Sequence, residues 1–166
     1  METLREVLEF NTVVRYEGED DFVPAERFAE SNYWGIKLIV TRGFSKIFLH
    51  EQFRPVQLFP CEIAAFQIRK PEISDREVVN LIGREKLAFP WAYIHFLLSL
   101  QPNLELGPVL LGGASNFFYV PHPRSDRLLR VCLIDRKLGD FWTLEVDELG
   151  SKRKCQSLDQ IFLWWR

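Results

Sequence analysis

Cysteine is scarce in this sequence, and its placement argues against two common ways of stabilising a small protein. The chain of 166 residues contains three cysteines, Cys61, Cys132 and Cys155. Because this number is odd and the spacing fits no set of metal ligands, we expect reduced thiols rather than a disulfide framework or a structural zinc site. The N-terminus also lacks a charged leader followed by an apolar region. Together these features predict a cytoplasmic protein.

An excess of charge of either sign is missing as well. The net charge is −2 and the isoelectric point is near 6.0, so the chain as a whole has no general attraction for nucleic acid or anionic lipid. The first 30 residues are nevertheless acidic, with nine acidic residues against three basic ones, whereas residues 122–166 are slightly basic. Residues 17–21 are predicted to be a solvated acidic turn. The two ends could attract each other, within one chain or between two copies.

No apolar run is long enough to suggest a membrane span. The longest, residues 88–113, is interrupted by Pro102, Asn103 and Glu105, whereas a bilayer needs ~20 uninterrupted apolar residues. Pro90 suits the first turn of a helix, and Pro102 ends the apolar pattern about three turns later. A helix that is apolar nearly all round must be covered on several sides. The run therefore predicts a central buried helix.

Internal repeats, low-complexity tracts and long polar linkers are also missing, so residues 1–166 are predicted to form a single α+β domain. In the N-terminal half, alternating apolar residues over 34–41 and a returning segment over 46–53 predict a β-hairpin. Residues 62–69 predict a further strand, and the prolines before it favour a position at a sheet edge.

The C-terminal part of the chain predicts a three-stranded antiparallel meander. Its strands are expected at residues 116–120, 127–134 and 140–147, with turns between them. The middle strand is apolar on both faces, so we expect it to lie between the other two.

Helix starts are indicated by capping boxes, in which Ser or Thr is followed three residues later by Glu or Gln. The pattern occurs at Thr3, Ser74 and Ser157. Residues 24–30 predict another short helix, with proline in its first turn. The last capping box precedes apolar residues that share one helical face between 158 and 165. The chain is therefore predicted to end in an amphipathic helix.

Large apolar residues surround the predicted terminal helix. One face of it can pack on the domain, whereas Leu163 and Trp164 would remain exposed in an isolated monomer. Tryptophan is enriched at the energetic centres of interfaces. We therefore predict that the helix binds a partner, either another protein or a second copy of the chain, through Phe162, Leu163, Trp164 and Trp165. The alternative is that a loop covers Trp164.

A stripe of basic residues on the meander supports an alternative function, the binding of single-stranded nucleic acid. Arginines interleaved with aromatic residues on a sheet are typical of such proteins. Interspersed aspartates would weaken the positive potential, and an ordinary solvated face explains the same residues. The basic residues concerned are Arg124, Arg127, Arg130, Arg136, Lys152, Arg153 and Lys154.

Catalytic signatures are missing, and we predict no catalytic residue, no metal and no cofactor. His50, His95 and His122 are scattered and form no triad or metal-ligand spacing. His95 is predicted to be a core histidine whose hydrogen bonds are satisfied, and Cys61 a buried structural thiol. A small hydrolase built on such scattered residues is the third alternative.

One segment resembles a known family. Residues 89–92, FPWA, open the predicted central helix, and residues 101–109, QPNLELGPV, follow it. The pair is similar to a stretch of SecB-type export chaperones, in which an aromatic-proline-aromatic-alanine run opens a helix and a Pro-x-Leu-x-Leu-small-Pro-Val run follows. The helix here is one turn shorter, Leu110 and Leu111 replace the usual Asn-Phe, and a meander follows instead of a terminal helix.

The resemblance implies a chaperone-like tetramer of sheets and helices that binds unfolded chains without catalysis. Together with the missing catalytic signatures, it favours a non-catalytic protein-binding module.

Overall fold

The computed structural model describes residues 3–30, 36–50, 55–102, 104–136, 141–150 and 154–165. These residues mix helices and strands, which confirms the predicted α+β class. The strands are β1 (Leu8–Tyr16), β2 (Glu19–Phe22), β3 (Leu38–Val40), β4 (Val56–Leu58), β5 (Cys61–Ile68), β6 (Glu72–Ile73), β7 (Ser115–Pro121), β8 (Leu128–Arg136), β9 (Phe141–Glu148), β10 (Cys155–Gln156) and β11 (Gln160–Trp165). The helices are α1 (Leu4–Val7), α2 (Pro24–Glu30), α3 (Arg42–Phe44), α4 (Asp75–Ile82), α5 (Arg84–Leu87) and α6 (Tyr93–Ser99), and a π-helical turn, Ser45–Leu49, continues α3.

Seven of the strands form one sheet in the order β1-β5-β11-β7-β8-β9-β3. The pairs β11–β7 and β3–β9 are parallel, and the other pairs are antiparallel. In the centre of the sheet both faces are covered, since successive side chains of a strand point to opposite faces and those of β7 are buried from Ser115 to Val120. Phe118 and Phe162 stack in the first core layer, with ring centroids 4.6 Å apart, whereas Phe117 and Ile161 belong to the second layer.

Helix α6 lies on the first face and confirms the predicted central buried helix. Ile94, Leu97 and Leu98 are fully buried in the first core layer. The loop that follows is closed by the carboxamide of Gln101, which donates to the Val109 carbonyl (2.9 Å) and accepts from the Val109 N–H (2.8 Å). A Cβ atom at Gly107 would collide with that carboxamide. Only glycine therefore lets the loop pack this closely against Gln101.

Two of the three predicted capping boxes are confirmed, those at Thr3 and Ser74, and their hydrogen bonds join residues three apart in the sequence. At the start of α4, the Glu77 N–H donates to the Ser74 hydroxyl (3.3 Å) and the Glu77 carboxylate accepts from the Ser74 N–H (2.9 Å). The capping box at Thr3 and the helix at residues 24–30 are present as well. The meander is formed by β7, β8 and β9, and β8 lies between the other two as predicted.

The predicted N-terminal hairpin is wrong. Within residues 36–50, only Leu38–Val40 is a strand, and it pairs in parallel with β9. The segment predicted to return as a second strand is helical, because Phe44 and Phe48 are four residues apart and are both buried on one helical face. The predicted position of residues 62–69 at a sheet edge is also wrong, since β5 lies between β1 and β11. Pro60 precedes that strand, so it removes no hydrogen bond from the sheet.

One smaller expectation at the N-terminus is corrected as well. Residues 19–21 of the predicted acidic turn belong to β2, which pairs with β4.

The predicted terminal helix is wrong as well, because its residues form β11, inserted between β5 and β7. No capping box forms at Ser157. Leu158 instead adopts a left-handed turn conformation (φ 80°), and the Asp159 carboxylate accepts from the N–H groups of Ser115 and Gln156 (both 2.8 Å). An apolar run fits a strand covered on both faces as well as it fits a buried helix. The assignment of residues 1–166 to one domain stays a prediction.

Candidate functional site

Of the four apolar residues predicted to bind a partner, the three whose side chains the structure describes are buried or half-buried. Phe162 is fully buried and Leu163 is 3% exposed. Trp164 is half-buried and packs near Tyr93, with ring centroids 6.4 Å apart. The side chain of Trp165 lies outside the described residues. The expected exposure of Leu163 is therefore wrong, and the partner-binding role of the four residues stays a prediction.

Of the seven basic residues predicted as a nucleic-acid stripe, the four whose side chains the structure describes do not form one exposed surface. Arg130 is fully buried, which is incompatible with a surface role. Arg127 lies 3.8 Å from Glu148 in an exposed ion pair, and Lys154 pairs with Glu72. Arg124 is exposed. The other three predicted residues, Arg136 (side chain), Lys152 and Arg153, lie outside the described residues.

Arg130 belongs to a buried polar network on the second face of the sheet. Its Nη1 atom donates to Oδ1 of Asp75 (2.9 Å) and its Nη2 atom donates to Oδ2 of Asp147 (3.1 Å). Asp75 also accepts from the Tyr119 hydroxyl (2.9 Å) and from the Gly150 N–H (3.1 Å). Since Asp75 begins α4, these bonds attach the helix to the sheet. The network is structural.

The cysteines and two of the histidines are poor candidates for catalysis. Burial raises the pKa of the Cys61 thiol, although the nearby Trp164 indole opposes this shift, and burial raises the pKa of Cys155 to about 11. Both thiols are therefore protonated at neutral pH and are weak nucleophiles. His50 is exposed, and His122 accepts at Nδ1 from the Arg124 N–H (3.0 Å). In the part of the chain that the structure describes, no group of His, Cys, Asp and Glu could hold a metal ion.

Sequence analysis missed a pocket of about 300 Å³ on the first face of the sheet, between β1, β2, α2 and α6. Its walls are mainly apolar and aromatic. The polar groups are few. Arg27 forms an ion pair with Glu19, the Tyr16 hydroxyl donates to Oε2 of Glu19 (3.4 Å), and the Ser99 hydroxyl donates to the Phe96 carbonyl (2.7 Å). The pocket is therefore an amphipathic site assembled from segments far apart in the sequence.

His95 lines this pocket and differs from a satisfied core histidine. It is 8% exposed, and its Nε2 atom is buried without a hydrogen-bond partner among the described residues. Phe22 and Phe28 lie edge-on to the ring, with centroids 5.7 and 5.6 Å away. Burial, and secondarily the positive charge of Arg27, lowers the pKa of His95 to about 4, although the Arg27 backbone opposes the shift. The imidazole is neutral at physiological pH.

The other exposed feature is the outer edge of β1. This strand pairs with β5 on one side, and within the described ranges no strand lies on its other side. Phe10 is 59% and Val13 is 41% exposed. Glu9 and Arg15 also face solvent. Arg15 forms an ion pair with Glu62 of β5 (2.9 Å), and Glu9 forms one with Arg69, the residue after β5 (3.2 Å). A bulge between Phe10 and Thr12 interrupts the regular ladder.

No protein family, no curated protein and no solved structure matches this chain. The likeness to SecB-type chaperones therefore rests on residues 89–109 alone. Within the described ranges, none of the helices combines the length and the apolar character needed to cross a membrane.

Proposed function

We propose that this chain is a non-catalytic protein-binding module that accepts an added strand at the outer edge of β1. The observation that carries this proposal is that edge itself, nine residues long and unpaired on one side among the described residues. Its outward N–H and C=O groups can pair with an extended segment of another chain. The exposed Phe10 and Val13 side chains would add apolar contacts to the backbone hydrogen bonds.

The exposed apolar side chains of β1 lie on one face of the sheet. Phe10 pairs with Phe66 and Val13 pairs with Ala64, two positions of β5 that share a face, whereas Glu9, opposite Gln67, lies on the other face. The bulge beside Asn11 disfavours addition of an arbitrary long strand. The edge therefore fits a short extended segment with apolar side chains on one face, from a second copy of the chain or from another protein.

The cysteine and histidine chemistry supports a non-catalytic role, since the thiols of Cys61 and Cys155 are buried and protonated. A cytoplasmic location is part of the same proposal. All three cysteines are free and buried, which supports a reducing compartment.

A lysine substitution on the edge tests the proposal. Val13→Lys places a charge among the exposed apolar side chains of β1, and charged side chains on an edge strand oppose strand addition. We therefore expect self-association of the variant, measured by sedimentation equilibrium, to be weaker than that of the wild type by about 1–2 kcal/mol.

The matched control is Ile39→Lys, which places the same charge at an exposed position of β3, at the other edge of the sheet. This variant should associate like the wild type. A wild-type chain that is monomeric at millimolar concentration would contradict the proposal. So would a Val13→Lys variant that associates as strongly as the wild type. Association that survives Val13→Lys together with uptake of an unfolded peptide would point to the chaperone-like alternative.

A further inference from the structure

We propose that the pocket beside His95 is a binding site for a small, uncharged aromatic molecule that carries one hydrogen-bonding group, such as a phenol or an indole. This proposal does not depend on the edge of β1. It rests on the size of the pocket, the character of its walls, its balance of charge and one buried nitrogen atom without a partner.

The volume limits the ligand to about one or two rings. The pocket measures about 300 Å³, the lower end of the range for ligand sites, which is roughly 300–1,000 Å³. An apolar cavity of about 150 Å³ accommodates benzene. A single ring with a short substituent, or a fused pair of rings, therefore matches the space.

The walls favour an aromatic ligand. Phe22, Phe96 and Tyr16 line the pocket together with Ile36 and Leu58. The Tyr16 and Phe96 rings are 4.6 Å apart and are already tilted against each other. A further ring could make edge-to-face contacts with these side chains, which add to the gain from burying apolar area.

The charged groups disfavour an ionic ligand. Glu19 and Arg27 form an ion pair in which each side chain is about one-third exposed, so neither charge is available alone to a ligand. An anion would be repelled by Glu19, and a cation by Arg27. His95 adds no charge at neutral pH because its imidazole is uncharged. Burial of an ionic group in such a site would lose hydration without a full counter-charge.

The Nε2 atom of His95 supplies the polar contact. A buried nitrogen without a partner costs free energy, and native proteins rarely leave one in that condition. His95 lines the pocket, but Nε2 itself is covered, so a small turn of the imidazole or of a neighbouring ring would let a ligand hydroxyl or ring N–H donate to this nitrogen. The ligand would then satisfy the one polar atom of the pocket that the protein leaves unsatisfied among its described residues.

The test compares p-cresol with toluene, which has the same ring and methyl group but no hydroxyl. We expect the wild type to bind p-cresol about tenfold more tightly than toluene in calorimetric titrations, because one neutral hydrogen bond contributes on this scale. In His95→Phe the two affinities should become equal. In nitrogen-15 spectra, p-cresol should shift the Nε2 resonance of His95 and leave those of His50 and His122 unchanged.

A second variant keeps the test independent of any effect of His95 on folding. Ser99→Trp adds a bulky side chain at the exposed rim of the pocket and should abolish binding of both compounds. Ser157→Trp, on an exposed turn outside the pocket, is the matched control and should bind like the wild type. Absence of saturable binding, equal affinities in the wild type, or an unshifted His95 resonance would each overturn the proposal.

Discussion

Two buried polar clusters lie on opposite faces of the seven-stranded sheet, and they differ in what surrounds them. On the second face, both oxygens of Asp75 and both Nη atoms of Arg130 are hydrogen-bonded within the chain. On the first face, His95 keeps a buried Nε2 without a partner among the described residues, and its ring lines an open pocket. The comparison contrasts a network that attaches α4 to the sheet with a histidine beside the pocket that we propose as a ligand site.

The largest expected effect comes from breaking the cluster of Asp75 and Arg130. In Arg130→Leu the Asp75 carboxylate stays buried without its main counter-charge, so we expect a loss of about 3–5 kcal/mol of unfolding free energy. Urea denaturation measures it. Arg127→Leu is the control, because it breaks an exposed pair with Glu148 and should change stability by less than about 1 kcal/mol. Equal effects for the two variants would show that the Arg130 network has no special structural role.

The second prediction concerns the pH dependence of stability at His95. Its pKa in the folded protein is about 4, below the ordinary value of roughly 6.5, so the unfolded chain takes up this proton first as pH falls. Stability from this group is complete above about pH 6.5 and is lost as pH falls towards 4, by roughly 3 kcal/mol in total. His95→Phe should lack this component, so the difference between the two unfolding curves measured from pH 7 to pH 4 isolates it. A pH-independent difference would contradict the assignment.

A matched pair of Tyr→Phe variants sharpens the comparison between the two faces. Tyr119 donates to the buried Asp75 carboxylate over 2.9 Å, so Tyr119→Phe should cost about 1.5–3 kcal/mol. Tyr16 donates to the partly exposed Glu19 over 3.4 Å, so Tyr16→Phe should change stability by less than about 0.5 kcal/mol. Thermal unfolding of both variants checks the ranking, and a reversed order would refute it.

The smallest expected effect is close to zero. At pH 7, His95→Phe removes a buried nitrogen that lacks a partner, which favours the variant, but it also removes the hydrogen bond between the ring and the Arg27 backbone. The two effects oppose each other, so unfolding free energy should change by less than about 1 kcal/mol. His122→Phe, in which the original ring accepts a hydrogen bond and is partly exposed, is the comparison in urea denaturation. A loss of more than about 2 kcal/mol in His95→Phe would mean that both ring nitrogens are satisfied in the folded protein.

Much of the fold could be predicted where the signal and its hydrogen bonds are close in sequence. The capping box at Ser74 is complete within four residues, and the central helix is bounded by Pro90 and Pro102. The meander was also predictable, because its strands are joined by turns and pair with their neighbours along the chain.

The candidate sites were less accessible to sequence analysis. The pocket brings together Tyr16, Glu19, Arg27 and His95, and no local pattern connects residues so far apart. His95 was identifiable as a polar residue in an apolar helix, and Ser99, one turn later, lies on the same helical face. What the sequence could not reveal is whether Nε2 finds a partner, because that depends on the segments packed against α6.

The sequence by itself determined the α+β class, the central helix, the capped start of α4 and the meander, since propensity, capping and alternation act over a few residues. Tertiary structure decided the rest. Residues 160–165 are apolar enough for a helix or for a central strand, and they become β11 because β5 and β7 cover both of their hydrogen-bonding edges. In the same way, packing against β1, β2 and α2 turns His95 from a core residue into the lining of a pocket. A buried group acquires its role from the partners that surround it, and those partners come from distant parts of the chain.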